Sequence, residues 1–196
     1  MDPNPGPLTT RPATVLLLHG WFCDAGRKEI FLRSLGFEVV KPKLSDFSFR
    51  RAVRAARQAY EQCRPDVIVA SSRGGAVVMN FDSGGTPLVL MCPAFRHFGS
   101  ARRLENPAVV IHGMHDRWVK VSASDQLCRN SRQATLLVVD DGHRLRSPQG
   151  RQALQQGLEI ALGHRNKCDG DEARPNMFGV GAASAADLPL TCRDGG

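Results

Sequence analysis

Residues Val67–Val78 read VIVASSRGGAVV, and the order of residue types in this stretch decides the fold. Asp66–Ala70 (DVIVA) is a short apolar run rich in β-branched residues, the pattern of a strand buried on both faces. Gly74–Asn80 then carries small and apolar residues suited to a packed helix. A serine-containing junction, Ser71-Ser72-Arg73, joins strand directly to helix.

The same strand pattern recurs on both sides. Thr14–His19 (TVLLLH), Phe37–Val40, Pro87–Met91, Ala108–His112 and Thr135–Val139 are all short apolar runs bounded by turn residues. Helical segments lie between several of them. Gly26–Leu35 places Ile30, Phe31 and Leu35 on one side and is stopped by Gly36; Phe49–Cys63 ends before Pro65; Pro148–Leu162 closes the series. Strands that alternate with crossover-length segments predict an α/β fold, a mainly parallel sheet of about six strands with helices on both faces. One domain over residues 14–163 is expected between a flexible leader, 1–13, and a Gly-, Ala- and Asp-rich tail, 164–196, expected to be disordered. Such sheets place their sites at the carboxyl ends of the strands.

Composition narrows the class. Of 196 residues, 42% are hydrophobic and 23% charged, which fits a globular chain rather than a disordered or membrane protein. No apolar run approaches the roughly 18 residues of a spanning helix, and MDPNPGPLTTRPA lacks a signal-peptide core, so a cytoplasmic location is expected. Cys23, Cys63, Cys92, Cys128, Cys168 and Cys192 are spread singly, which points to reduced thiols. His112, His115 and Asp116 cluster without a helical H-x-x-x-H spacing, so no metal or other cofactor is expected. The net charge of +7 is largely arginine. Arg50, Arg51, Arg54, Arg57 and Arg64 interleave with Phe49, Val53, Ala56, Tyr60 and Cys63 at helical spacing, the wet face of an amphipathic helix. Neither a nucleic-acid nor a membrane partner is expected.

The VIVASSRGGAVV stretch resembles the nucleophile elbow of α/β hydrolases. The elbow requires small residues two places before and after its serine, because its strained turn brings backbone into close contact. Ser72 has Ala70 and Gly74 at those places, whereas Ser71 would have Val69 and Arg73, so Ser72 is the nucleophile the resemblance implies. Alanine replaces the glycine usual at the first small position. Two further motifs follow in the family's chain order. In VVIHGMHDRWV (109–119) Asp116 takes the place of the acid, and in LVVDDGHR (137–144) His143 takes the place of the base. Each residue has a purely structural alternative: Ser71 or Ser72 capping a helix, Asp116 capping the next one, His143 as a surface histidine.

In LHGWF (18–22) the chain is similar to the family's HG-x motif. This similarity implies that the backbone N–H groups of Trp21 and Arg73 form an oxyanion hole and that His19 is a structural residue under the loop. Trp21, Phe22 and Arg73 are the candidate substrate contacts; Arg73 would otherwise pair with a local acid such as Asp24 or Asp46. HGW, SSRGGAV and CPA (92–94) together resemble small, capless, YqiA-like members of the superfamily. Cys92–Asn106 is too short for a helical cap, so an open, shallow site is expected, acting on a small acyl substrate. The implied activity is carboxylic ester hydrolysis by a serine esterase; a thioesterase or acyl-protein hydrolase, or a noncatalytic binding protein on the same scaffold, are the alternatives.

Overall fold

The computed structural model describes residues 11–21 and 26–168. In chain order it contains β1 (Thr14–Leu18), α1 (Gly26–Ser34), β2 (Glu38–Val40), α2 (Phe49–Cys63), β3 (Val67–Ser71) and α3 (Arg73–Val78). There follow β4 (Leu88–Met91), β5 (Ala108–Gly113), α4 (Val121–Arg129), β6 (Ala134–Val139) and α5 (Pro148–Cys168). The strands form one sheet in the order β2-β1-β3-β4-β5-β6, and every neighbouring pair is parallel.

The period-2 pattern of the strands builds the core. Leu16 and Leu18 face one side, in a cluster with Ala52 and Ala56 of α2, Val77 of α3 and Leu127 of α4. Val15 and Leu17 face the other, against Leu32 of α1 and Leu154 and Leu158 of α5. Every residue of β1, β3, β4 and β5 is buried, so these strands show no polar alternation. Fully covering each leucine contributes about 1.5–3 kcal/mol.

Helix α2 starts at Ser48, whose side chain accepts from the Arg51 N–H at 3.3 Å, and ends at Arg64 in a left-handed conformation before Pro65. It buries Ala52, Ala56 and Ala59 and leaves Arg50, Arg51, Arg54, Arg57 and Arg64 exposed. Helix α5 runs to Cys168 rather than ending at Leu162, and so enters the segment expected to be an irregular tail. Once nucleated, a helix gains a backbone hydrogen bond with each added residue, without any demand for apolar periodicity. The rest of the tail, 169–196, and residues 1–10 of the leader lie outside the described residues. No described helix is long and apolar enough to cross a membrane.

Two features of the topology position a site. The strand order reverses between β1 and β3, so the loops that leave their carboxyl ends flank a crevice. Residues 92–107, between β4 and β5, contain no helix, and no cap domain lies over the crevice among the described residues. The junction itself depends on Gly74. A Cβ there would collide with the carbonyl of Leu18 and stand 2.8 Å from His19 O, both backbone atoms that cannot swing aside. Gly74→Ala is therefore expected to destabilise the chain by about 1–3 kcal/mol, read as a lower urea midpoint; an unchanged midpoint would show that β1 and α3 do not pack this closely.

Candidate active site

Between β3 and α3 the chain turns through one residue, Ser72, at φ 53° and ψ −117°. A side chain held at positive φ costs of the order of 1–3 kcal/mol and persists only where the surroundings over-determine it. Here three backbone hydrogen bonds do so: Ser72 N–H donates to Met91 O at 2.8 Å, and Ser72 O accepts from Gly75 and Ala94 at 3.0 Å each. The loop after β1 closes in from the other side, where a Cβ on Gly20 would lie 3.2 Å from Ser72 Cβ.

The structure brings Ser72, Asp116 and His143 together. His143 Nε2 lies 2.9 Å from Ser72 Oγ, and His143 Nδ1 lies 2.6 Å from Asp116 Oδ2. An ionised carboxylate only accepts, so Nδ1 carries the proton and donates it to Asp116, leaving Nε2 to accept from the Ser72 hydroxyl. The His143 side chain is partly exposed and that of Asp116 is fully buried. Gly113 makes this approach possible: a Cβ there would lie 2.5 Å from Asp141 O and 2.6 Å from Gly142 O, in the loop that carries His143.

Asp116 does not cap α4. Its Oδ1 accepts from the N–H groups of Trp118 at 2.8 Å and Val119 at 2.9 Å, in the turn before that helix. Burial pushes its pKa up, but the donors from Val119, His143 and Trp118 outweigh it and hold the carboxyl below its usual value. Oδ2 has a second neighbour, His112 Nε2 at 3.3 Å. His112 is completely buried, accepts from Ser124 Oγ at Nδ1 (2.7 Å) and donates from Nε2 to Val119 O (2.9 Å). Burial keeps its pKa low, so it stays a neutral donor.

The Cys92 thiol adjoins the same carboxylate, and burial above all pushes its pKa up to about 12. Cys92, His112 and Asp116 place donor atoms within 4.8 Å of one another, yet the set does not suit a metal. The thiol is held protonated and both imidazole nitrogens are engaged, whereas a metal requires thiolate and a free nitrogen lone pair.

The His143 loop is fastened by Asp141. Its Oδ1 accepts from Gly142 N and its Oδ2 from Ser147 N, each at 2.7 Å. Burial raises its pKa, and these donors more than reverse that. A carboxylate depressed in this way adds stability above its unfolded value of about 3.9 and loses it as pH falls through the lower folded value. Asp141→Asn is expected to cost about 1 kcal/mol at neutral pH, to flatten the acid limb of urea midpoints below about pH 4, and to lower kcat about tenfold by displacing His143. An unaltered acid limb together with an unaltered kcat would remove this role from Asp141.

A cavity of about 560 Å³ opens over Ser72 and His143, and Trp21, Ala94 and Phe98 are among its lining residues, Ala94 and Phe98 from the core cluster on the α2 side of the sheet. The first turns of α1 and α5 and residues 144–146 also line it, beside Phe31, Leu145 and Leu154 of the core cluster on the opposite face of the sheet. Trp21 is half exposed and meets Phe98 edge to face at 5.7 Å. Phe22 lies outside the described residues.

Arg73 requires a correction. Its side chain was expected to reach substrate, but it is buried and is not part of the cavity wall. The guanidinium lies between the rings of Phe49 and Phe98, 5.7 and 5.6 Å from their centroids, and Nη2 donates to Ser45 O at 2.8 Å. The small elbow residues let α3 turn inward, so a long side chain at its first position is carried into the protein. The backbone N–H of Arg73, at the first position of α3, is one of the groups that have no partner within the helix. His19 uses both nitrogens locally, donating from Nδ1 to Gly20 O at 2.8 Å and accepting from Leu44 N at 3.3 Å, which ties down the loop after β1.

Sequence reasoning missed His112, Cys92 and Asp141. Asp141 left a signal, a carboxylate beside a glycine turn two residues before the histidine; the role of His112 depends on the turn that brings Val119 back to it, and that of Cys92 on β4 and β5 lying side by side.

No protein-family model and no curated protein sequence matches the chain. Solved structures do match. The chain is similar to mouse alpha/beta hydrolase domain-containing protein 10, with TM-score 0.60 and 11% identity over 80% of this chain and 89% of that one. It is similar to the esterase domain of a Rhodothermus marinus protein, with TM-score 0.56 and 20% identity over 83% and 89%. A monoacylglycerol lipase from Paleococcus ferrophilus matches with TM-score 0.61 and 14% identity over 78% and 96%.

Proposed function

The chain has the α/β-hydrolase fold, and on that scaffold we propose that it is a cofactor-free serine hydrolase that cleaves small carboxylic esters through an acyl-enzyme. The observation that carries this is the continuous relay Ser72 Oγ, His143 and Asp116, at 2.9 and 2.6 Å. Ser72 Oγ attacks the carbonyl carbon as His143 Nε2 takes its proton, and Asp116 stabilises the imidazolium that results. The oxyanion is held by the N–H groups of Arg73 and Trp21, each worth about 3–4 kcal/mol in such a site. Collapse of the intermediate breaks the bond to the alcohol, which leaves with the proton from His143. Water, deprotonated by the same histidine, then releases the acid and regenerates Ser72.

A fluorophosphonate probe tests the reading, since only an activated serine displaces its fluoride. Peptide mass spectrometry is expected to find the adduct on Ser72, lost in Ser72→Ala and His143→Ala and retained in Ser71→Ala. Absence of an adduct on the folded wild-type chain would overturn the assignment.

A further inference from the structure

On the α1 and α5 side of the sheet, away from Phe98, the cavity lining carries cations beside Phe31, Leu145 and Leu154. Arg27 and Lys28 from the first turn of α1, Arg144 and Arg146 from the His143 loop and Arg151 from the first turn of α5 all line it. No carboxylate is among its described lining residues. Arg27, Arg144, Arg146 and Arg151 make no ion pair with any described residue. The carboxylates nearby are engaged: Asp116 with His143, and Asp141 with the N–H groups of Gly142 and Ser147.

These cations form one patch rather than scattered surface charge. Lys28 Nζ donates to Arg144 O at 3.1 Å, and an Arg151 Nη donates to Arg146 O at 3.0 Å, so the three segments are tied together. Leu145, between the two loop arginines, has φ 47° and is buried in the core. That inward turn leaves Arg144 and Arg146 exposed on either side of it. Gathering several guanidinium groups without counter-ions is electrostatically unfavourable, and a ligand oxyanion, paired bidentately, relieves it.

The patch also has a defined place along the reaction coordinate. His143 hands its proton to the leaving group, so the leaving group lies over His143, and Arg144 and Arg146 follow that residue directly. The apolar side chains of Trp21, Ala94 and Phe98, away from the cations, are left for the acyl part. Resting on the serine-hydrolase assignment, we propose that the substrate is an acyl ester whose leaving group carries an oxyanion, phosphate or carboxylate, bound by Arg27, Arg144, Arg146 and Arg151.

A matched set of aryl acetates tests this: phenyl acetate and its analogues bearing a ring phosphate, a ring carboxylate or a ring trimethylammonium. The wild type is expected to show kcat/KM at least tenfold higher for an anionic ester than for phenyl acetate, and lowest for the cationic one. The preference should shrink as salt rises from about 0.01 to 1 M, over which the screening length falls from about 30 to 3 Å. In Arg144→Gln/Arg146→Gln/Arg151→Gln the anionic-to-neutral ratio should fall towards one. The ratio of phosphate to carboxylate ester identifies which oxyanion is preferred. Equal kcat/KM across the set, at any salt, would overturn the proposal while leaving the hydrolase assignment intact. Binding of phenyl phosphate to Ser72→Ala, measured by calorimetry, separates the two from the other side. Binding that weakens at least fivefold when the three arginines are also replaced supports the anion site even if Ser72 proves unreactive, and binding indifferent to those replacements counts against it.

Discussion

Ser72→Ala is expected to lower kcat on a neutral aryl ester by about 10⁴–10⁶-fold with little change in KM, because the nucleophile is lost while the binding groups remain. The fold should survive. The bonds that pin the elbow run through the backbone of residue 72, to Met91 O and from Gly75 and Ala94, and alanine retains all three. Alanine also has the same Cβ at the same positive φ, so the turn is strained to the same degree before and after. Urea midpoints should therefore agree within about 0.5 kcal/mol, the range of a substitution that removes no packing. A variant that kept a tenth of wild-type turnover would exclude Ser72 as the nucleophile, and one that unfolded would leave the loss of activity to be explained by stability.

Asp116→Asn should be nearly as damaging, with kcat reduced about 10⁴-fold, for a reason that the surroundings of the carboxylate make specific. Oδ1 sits under two backbone donors, Trp118 N–H and Val119 N–H, so the asparagine carbonyl must occupy that position. Its NH₂ group then replaces Oδ2 and presents protons to His143 Nδ1, which has to surrender its own. The histidine is driven into the tautomer with hydrogen on Nε2, and that nitrogen can no longer accept from Ser72. The same NH₂ meets the Nε2–H of His112 donor to donor where the Oδ2 acceptor stood, so a loss of about 1–3 kcal/mol in stability is expected. Steady-state kinetics from pH 6 to 9 distinguish this mechanism from simple misfolding: rates should recover partly at high pH, where hydroxide can deprotonate the serine. A variant within about tenfold of wild type would mean that the tautomer of His143 is set by something else.

Much of the architecture was legible because its signals are local. A buried parallel strand is a short apolar run, and each of the six was found within a residue or two of its observed limits. Ser72 could be chosen over Ser71 because steric demand at Ala70 and Gly74 is itself written in the sequence. Side-chain direction was not legible in the same way. Arg73 reads as a cation beside a nucleophile, and only the inward course of α3 shows that it is stacked between Phe49 and Phe98. The cationic wall was equally hidden. Its members come from α1 and, more than a hundred residues later, from the His143 loop and α5, and no spacing rule connects Arg27 with Arg151. His112 was legible only as a member of a histidine and aspartate cluster without metal-site spacing, since its role toward Asp116 depends on the turn that brings Val119 back over β5.

The bare crossing from β4 to β5 bears on how such a molecule can change over generations. Loop closure costs entropy only logarithmically, so doubling the length of a flexible connection adds about 0.6 kcal/mol. Residues Ser100, Arg102 and Arg103 lie exposed near the middle of the crossing, away from Ala94 and its bond to the elbow. The pairing of Leu88 with Ala108 and of Met91 with Ile111 holds the strands on either side in register. New sequence could be admitted there at a cost the core can absorb, roofing the cleft and redefining what enters it. In this chain the reacting groups and the selection of what reaches them are separately heritable.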